Sequence, residues 1–148
     1  ISGMWLNIDR DGYFVEVLEF AELASTLGLK VIIMPSPKVY DTNIARRYES
    51  SLFTDLFEFD LSESSSESDK RVLALHSMLD EFSQNSDNIY FLKRNELFDH
   101  SGSFILNGKK VPYHLDSAHV SLIGALNILP HFKLSESYEQ IVETINIR

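Results

Sequence analysis

Helical and extended patterns alternate from the start of the chain. The segment ISGMWL at 1–6 is predicted to be a buried strand or its end. Apolar residues then recur at helical spacing from Phe14 to Leu27, and Gly28 follows as a helix stop signal. The next segment, KVIIMPSP at 30–37, is an apolar run closed by prolines, which is typical of a strand buried on both faces. Strand, helix and strand with short joints form a βαβ unit, and such units build parallel sheets.

The alternation continues further along the chain. The stretch 41–60 is predicted to be partly helical, and the Ser-rich, acidic stretch 61–69 is predicted to be a loop. A helix is predicted over 69–86, where apolar residues share one face, and the buried strand NIYFL follows at 88–92. The Asn107-Gly108 pair inside SFILNGKKVPY indicates a hairpin.

Two helices are predicted near the C-terminal end. The first covers SLIGALNILPHFKL at 121–134 and is expected to end near Pro130. The second covers ESYEQIVETINI at 136–147, where Ser137 and Gln140 fit a capping box.

These patterns predict a single α/β domain over 1–148, a three-layer sandwich around a mostly parallel sheet. In such sheets ligands bind at the carboxyl ends of the strands, where the connecting loops gather. Three segments are expected at that edge: the residues after ISGMW, the PSP loop at 35–37, and HLDSAH at 114–119.

Composition narrows the class of protein. Apolar residues make up 44% of the chain, enough to bury a core without disulfides or structural metals. The formal charge of −9 argues against a nucleic-acid partner, since affinity for phosphates needs clustered Lys and Arg. The chain has no cysteine, which excludes thiol catalysis, and no apolar run long enough to span a bilayer. Because ISGMWL resembles the middle of a buried element, the chain is expected to be part of a longer protein.

The segment PYHLDSAHVSLIGAL at 112–126 places Asp116 and His119 three residues apart, just before an apolar helix. In one interpretation Asp116 or Ser117 caps that helix and His119 is incidental. In a second, His119 takes a proton from a hydroxyl nucleophile with one ring nitrogen, while Asp116 holds the other nitrogen and fixes its tautomer. In a third, His114, Asp116 and His119 bind zinc.

The same segment resembles the last motif block of the SGNH hydrolases. It is especially similar to the form found in the soluble C-terminal domain of bacterial membrane O-acyltransferases, which modify lipopolysaccharide and other surface glycans. The residues that carry the resemblance are Pro112, Tyr113, Asp116, His119, Ser121, Gly124 and Ala125. LGLKVIIMPSPKVYD at 27–41 is similar to the family's strand that ends in a proline-rich loop, and ISGMW to an earlier strand that commonly ends in Trp.

The resemblance implies a flavodoxin-like SGNH fold that is incomplete at its N-terminal end. It also implies O-acyl transfer, expected to be O-acetyl, to a cell-surface polysaccharide through an acyl-serine intermediate, with no metal or organic cofactor. His119 would be the catalytic base and Asp116 its orienting carboxylate. The family's Gly-Asp-Ser nucleophile motif does not occur in the sequence, so the serine is expected upstream of Ile1. Gly3 and Trp5 are candidate substrate-binding residues. If Gly3 matches the glycine of the family's Gly-x-Asn motif, Trp5 stands where many members have the asparagine that helps to hold the oxyanion.

The implied partners are an acyl donor, a surface-glycan acceptor and an upstream transmembrane acyltransferase domain of the same protein. The implied location is the periplasmic face of the bacterial inner membrane. Two alternatives stay open: a carbohydrate esterase of the same fold, with water as acceptor, and a non-catalytic glycan-binding or scaffolding domain. If upstream strands are missing, the edge at 1–6 is expected to pair with another chain.

Overall fold

The computed structural model describes residues 12–53, 66–98 and 102–146, with side chains described as far as Glu143. Within these ranges helices and short strands alternate. Their bounds are α1 (Tyr13–Thr26), β1 (Val31–Ile33), α2 (Ile44–Phe53), α3 (Glu67–Gln84), β2 (Ile89–Phe91), α4 (Arg94–Leu97), β3 (Ser103–Leu106), β4 (Lys109–Pro112), α5 (Leu122–Phe132) and α6 (Glu136–Asn146). The described chain is therefore a mixed α/β structure, and the strand predicted at 1–6 lies outside the described residues.

Strands β1 and β2 form a parallel pair, in agreement with the mostly parallel sheet that the α/β pattern predicts. Val31 lies opposite Ile89, and Ile33 lies opposite Phe91. Because side chains alternate across a strand, these four residues point to one face of the pair. They form a buried cluster with residues of α1 and α3, namely Phe14, Ala21, Ala24, Leu75 and Leu79.

The opposite face of the parallel pair carries a second apolar core. Ile32 and Met34 alternate with the residues of the first core and pack into the second. The fully buried members of this core come from the segments that follow β2, namely Leu92, Leu97, Phe104, Tyr113, Ile128 and Ile141. Apolar packing on both faces explains why KVIIMP and NIYFL are nearly continuous apolar runs.

The predicted hairpin is confirmed. Strands β3 and β4 pair antiparallel, with Leu106 opposite Lys109 next to the turn. Both turn residues have positive φ, 49° at Asn107 and 77° at Gly108. This backbone matches the type I′ turn, which requires positive φ at both central positions and so favours Asn-Gly.

Helix α1 ends where the sequence predicts. Gly28, with φ of 79°, follows the end of α1 and donates its N–H to the carbonyl of Ser25, 2.9 Å away. The left-handed conformation at position 28 costs glycine little, which explains why the helix stops here.

Helix α2 confirms the partly helical prediction for 41–60 as far as Phe53.

Helix ends depart from the sequence prediction in three places. The 61–69 loop prediction is wrong from residue 67, where α3 begins, and Ser66 caps the helix by accepting the N–H of Asp69 at 2.9 Å. Helix α5 continues beyond Pro130 to Phe132, and a 3.1 Å bond from the Lys133 N–H to the Leu129 carbonyl closes its last turn. The Ser137–Gln140 capping box is also wrong.

The cap of α6 is Ser135. Its hydroxyl oxygen accepts the N–H of Tyr138 at 3.1 Å. Ser137 lies inside the helix, and its hydroxyl donates to the Glu96 carboxylate of α4. Both serines suit a cap by residue type, so the packing of α6 against α4 decided which one serves.

Candidate active site

Asp116 and His119 are in direct contact. The Nδ1 atom of His119 lies 2.8 Å from Oδ2 of Asp116. An ionised carboxylate only accepts hydrogen bonds, so Nδ1 carries the proton and the neutral ring leaves Nε2 as a base. The side chains are 57% and 36% exposed, for His119 and Asp116 respectively, which leaves the pair accessible to a substrate.

The other oxygen of Asp116 organises the loop that carries the pair. Oδ1 accepts the backbone N–H groups of Ala118 and His119, each at 2.8 Å. These two bonds are the main reason that the pKa of Asp116 is lowered to about 2, and the His119 ring adds to them. The carboxylate is therefore ionised at neutral pH and holds the imidazole in one tautomer.

The loop is closed at its base by short backbone contacts. His114 and Val120 form an isolated antiparallel bridge. The Leu115 N–H donates to the His119 carbonyl at 2.7 Å, and the Ser121 N–H donates to the Tyr113 carbonyl at 2.8 Å. The sequence between the two ends is thus held as a compact turn that presents both functional side chains.

The helix-cap interpretation of Asp116 and Ser117 is wrong. Helix α5 begins at Leu122, and its cap is Ser121, whose hydroxyl accepts the Gly124 N–H at 2.9 Å. The acid instead caps a turn that lies before the helix. This turn leaves the carboxylate free to reach the histidine ring as well as the backbone.

Gly124 is required for the position of this helix. A Cβ atom at this residue would lie 2.4 Å from the Tyr113 carbonyl oxygen, well inside van der Waals contact. The first turn of α5 therefore approaches the backbone just before the loop more closely than any other residue type allows. Together, Ser121 and Gly124 hold α5 against the end of the Asp116–His119 loop.

The zinc interpretation is not supported by the arrangement of the three side chains. His114 is buried, and its Nε2–H donates to the Lys38 carbonyl at 2.8 Å. His119 bonds to Asp116 through Nδ1. Within the ranges that the structure describes, no group of three His, Cys, Asp or Glu side chains is placed to hold a metal ion.

The proline-rich loop after β1 lies beside the Asp116–His119 loop, as the sequence predicts. The Tyr40 N–H donates to the Ser117 carbonyl at 2.9 Å, and the His114 bond to Lys38 joins the same two loops. Gly3 and Trp5, the candidate substrate-binding residues, lie outside the described residues. Two of the three segments predicted at the sheet edge are thus brought together.

A buried ion pair that the sequence did not reveal holds the proline-rich loop. Arg94 Nη1 lies 2.8 Å from Asp69 Oδ1, and Arg94 also donates to the carbonyls of Ser36 at 3.0 Å and Pro37 at 3.1 Å. The same Asp69 oxygen accepts the Val39 N–H at 2.8 Å. Backbone groups of a buried loop need such partners, because water cannot supply them.

Two more side chains complete this support. The Ser66 hydroxyl donates to the Val39 carbonyl at 2.7 Å. His76 Nε2 accepts the Ser36 N–H at 3.1 Å. Burial lowers the pKa of His76 to about 4, aided by the charge of Arg94, so the ring is neutral at pH 7. His76 is therefore a packed structural histidine.

A cavity of about 560 Å³ lies beside the side chains that hold the proline-rich loop. The described residues that line it include Asp69, His76, Arg94, Tyr113 and His114. Neither Asp116 nor His119 is among its described lining residues, so this cavity and the Asp–His pair are separate features.

Among the described residues, no helix combines the length and the apolar character that crossing a membrane requires. Comparison of the chain with protein-family models, with curated proteins and with solved structures gives no significant match.

Proposed function

We propose that the chain is the C-terminal part of an SGNH-type acyltransferase that moves an acyl group, expected to be acetyl, onto a hydroxyl of a cell-surface polysaccharide. The serine nucleophile belongs to a segment upstream of Ile1 in the longer protein. Acyl transfer proceeds through an acyl-serine, without a metal or organic cofactor. The location in this proposal is the periplasmic face of the bacterial inner membrane, beside a transmembrane domain of the same protein.

The 2.8 Å contact between His119 Nδ1 and Asp116 Oδ2 is the observation that supports this function best. His119 Nε2 takes the serine proton as the serine attacks the acyl donor. The imidazolium then gives this proton to the leaving group of the donor as the acyl-serine forms. In the second half, Nε2 takes the proton of the acceptor hydroxyl as that hydroxyl attacks the acyl-serine, and returns it to the departing serine oxygen. Asp116 stabilises the imidazolium that forms in each step.

The finer fold in this proposal is a three-layer sandwich of the flavodoxin-like SGNH type. The parallel pair β1–β2 and the apolar cores on both of its faces support it. In that fold the loops after the parallel strands form one edge of the sheet, where ligands bind. The contact between Tyr40 and Ser117 joins the loop after parallel strand β1 to the Asp116–His119 loop, which supports a position for His119 near that edge.

Replacement of His119 in the longer protein tests the proposal. His119→Gln should reduce acyl transfer to the polysaccharide by roughly 10⁶-fold, as removal of the triad histidine does in a serine protease. His131→Gln is the matched control, because His131 is an exposed histidine in the last turn of α5. Equal activity of His119→Gln and the wild type, with circular dichroism unchanged in both, would exclude His119 as the catalytic base.

The acceptor distinguishes the transferase from an esterase of the same fold. Both enzymes use His119 and an acyl-serine, but water replaces the sugar hydroxyl in the esterase. Incubation of the longer protein with a labelled acyl donor, with and without the polysaccharide, separates the two. A transferase labels the polysaccharide, whereas an esterase releases the free acid at the same rate in both samples. A glycan-binding domain without catalysis would do neither.

A further inference from the structure

The cavity beside the ion pair contains two buried histidines with unmet hydrogen-bonding capacity. His76 is 6% exposed and His114 is 4% exposed, and both line the cavity. The Nδ1 atom of each ring is enclosed and has no hydrogen-bond partner in the structure as described. Buried polar atoms are almost always paired, so two unpaired atoms beside one cavity point to an absent partner.

The two rings offer opposite hydrogen-bonding groups. His76 accepts the Ser36 N–H with Nε2, so in the neutral ring Nδ1 carries the proton and is a donor. His114 faces the carbonyl of Lys38 with Nε2, so that nitrogen carries the proton and Nδ1 is an acceptor. Burial lowers the pKa of both histidines, which keeps both rings neutral.

We propose that this cavity binds a small polyhydroxylated ligand, such as one sugar unit or a polyol. A hydroxyl group both donates and accepts, so it satisfies the donor of His76 and the acceptor of His114. The volume of about 560 Å³ is that of a small-molecule site. The apolar faces of a sugar ring fit against Phe98 and Leu73, which also line the cavity. The site is separate from the Asp116–His119 pair and does not depend on acyl transfer.

Hydrogen bonding, more than charge, favours a neutral polyol over a fully ionised anion. The described lining residues include three cationic side chains, Lys38, Lys93 and Arg94, and two acidic ones, Asp69 and Asp80. Arg94 and Asp69 neutralise each other at 2.8 Å. A sulfate ion would leave the acceptor nitrogen of His114 without a partner, because it has no proton to donate.

Each ring must turn slightly toward the cavity for its enclosed Nδ1 atom to reach a ligand. Such a rotation changes the ring contacts that the structure records. His76 packs on Phe91 with ring centroids 5.4 Å apart, and His114 meets Tyr40 edge-on at 4.9 Å. Imidazole resonances report both the new hydrogen bond and the change in these contacts.

The test is a titration of the ¹⁵N-labelled chain followed by imidazole ¹⁵N shifts. The probes are the methyl α-glycosides of glucose, galactose and mannose, and glycerol, with sulfate as the anion. At least one hydroxylated probe should shift His76 and His114 saturably while exposed His131 stays unchanged. Sulfate should cause no saturable shift of the two buried rings.

A variant pair on α3 tests the location. Ser77 lines the cavity and is exposed, so Ser77→Trp should close the opening and weaken binding by at least about tenfold. Met78 is also exposed, on the same helix but outside the described lining, and Met78→Trp should leave the affinity unchanged. The proposal is overturned if no hydroxylated probe saturates, if sulfate alone shifts the two rings, or if Ser77→Trp binds as tightly as Met78→Trp.

Discussion

Replacement of Asp69 by alanine should destabilise the fold more than any exposed charge change on the same helix. The Asp69 side chain is 2% exposed, and its Oδ1 atom bonds to both Arg94 and the Val39 N–H at 2.8 Å. Truncation leaves a guanidinium that is only 15% exposed without its counter-charge. It also leaves a buried backbone N–H without an acceptor, in the loop that contacts Ser117.

The magnitude follows from these two losses. Removing one partner of a buried ion pair costs about 3–5 kcal/mol, because the remaining charge stays desolvated. A buried N–H without an acceptor costs about 1–3 kcal/mol. A movement of the loop that lets water reach the Val39 N–H also lets water reach Arg94, so the two costs do not add fully. We expect the free energy of unfolding to fall by about 3–5 kcal/mol in Asp69→Ala, a large share of the roughly 5–15 kcal/mol of a typical domain.

The asparagine variant separates charge from hydrogen bonding. Asp69→Asn keeps an oxygen acceptor for the Val39 N–H and for Arg94 but removes the negative charge. We expect a smaller loss of about 1–2 kcal/mol, the difference between a charged and a neutral hydrogen bond. Urea unfolding followed by circular dichroism at the helical band measures all variants.

Glu67 provides the matched control on α3. Its carboxylate pairs with Lys70 at the surface, where its side chain is 82% exposed. Glu67→Ala should leave the urea midpoint almost unchanged, since exposed ion pairs contribute little. If Asp69→Ala and Glu67→Ala have the same midpoint, the buried ion pair does not support the fold and our reasoning about the loop is wrong.

Three further predictions concern the residues around the site. Gly124→Ala should lower the unfolding free energy by about 1–3 kcal/mol, since the new methyl group would lie 2.4 Å from the Tyr113 carbonyl oxygen; an unchanged urea midpoint would contradict this close approach. The pKa of His76 is about 4 in the fold and 6.5 as a free side chain. The contribution of the neutral, buried ring to the free energy of unfolding is therefore complete above pH 6.5 and is lost as the pH falls through 4. The loss is on the order of 3 kcal/mol. Urea midpoints measured between pH 6.5 and 4 should therefore fall less steeply with pH in His76→Gln than in the wild type. The pKa of Asp116 is lowered from 3.8 to about 2, so its contribution is present above pH 3.8 and is lost only as the pH falls through 2. At neutral pH, ¹⁵N spectra should therefore show the Nδ1–H tautomer of His119, and Asp116→Asn should raise the share of the Nε2–H tautomer; an identical spectrum would show that Asp116 does not set the tautomer.

Local patterns predicted the elements whose residues share one dominant requirement. Asn107-Gly108 suits a turn that needs positive φ at both positions, and that turn is present. KVIIMP and NIYFL are nearly continuous apolar runs because both faces of the parallel pair are covered by apolar residues. The proximity of Asp116 and His119 was also predictable, since a turn brings residues three apart into contact.

Local patterns did not predict a helix end correctly where several serines could each serve as the cap. Ser135 and Ser137 can both cap α6, and Ser66 competes with its serine neighbours in LSESSSESD. Propensity scales rank these residues equally. The side chain that caps is the one that packing leaves beside the free N–H groups.

Local patterns were enough to predict the mixed α/β class, the parallel pair, the hairpin and the Asp116–His119 contact, because each depends on residues close together in the chain or on a repeating apolar pattern. The pairing of Asp69 with Arg94 around the proline-rich loop, and the position of His76 and His114 on one cavity, are visible in the folded chain alone. These partners are 25 and 38 residues apart along the chain, as 94 − 69 and 114 − 76 show. Local patterns do not predict contacts between residues so far apart. The buried backbone groups of a loop need hydrogen-bond partners, and these come from the elements that pack against the loop in the folded chain.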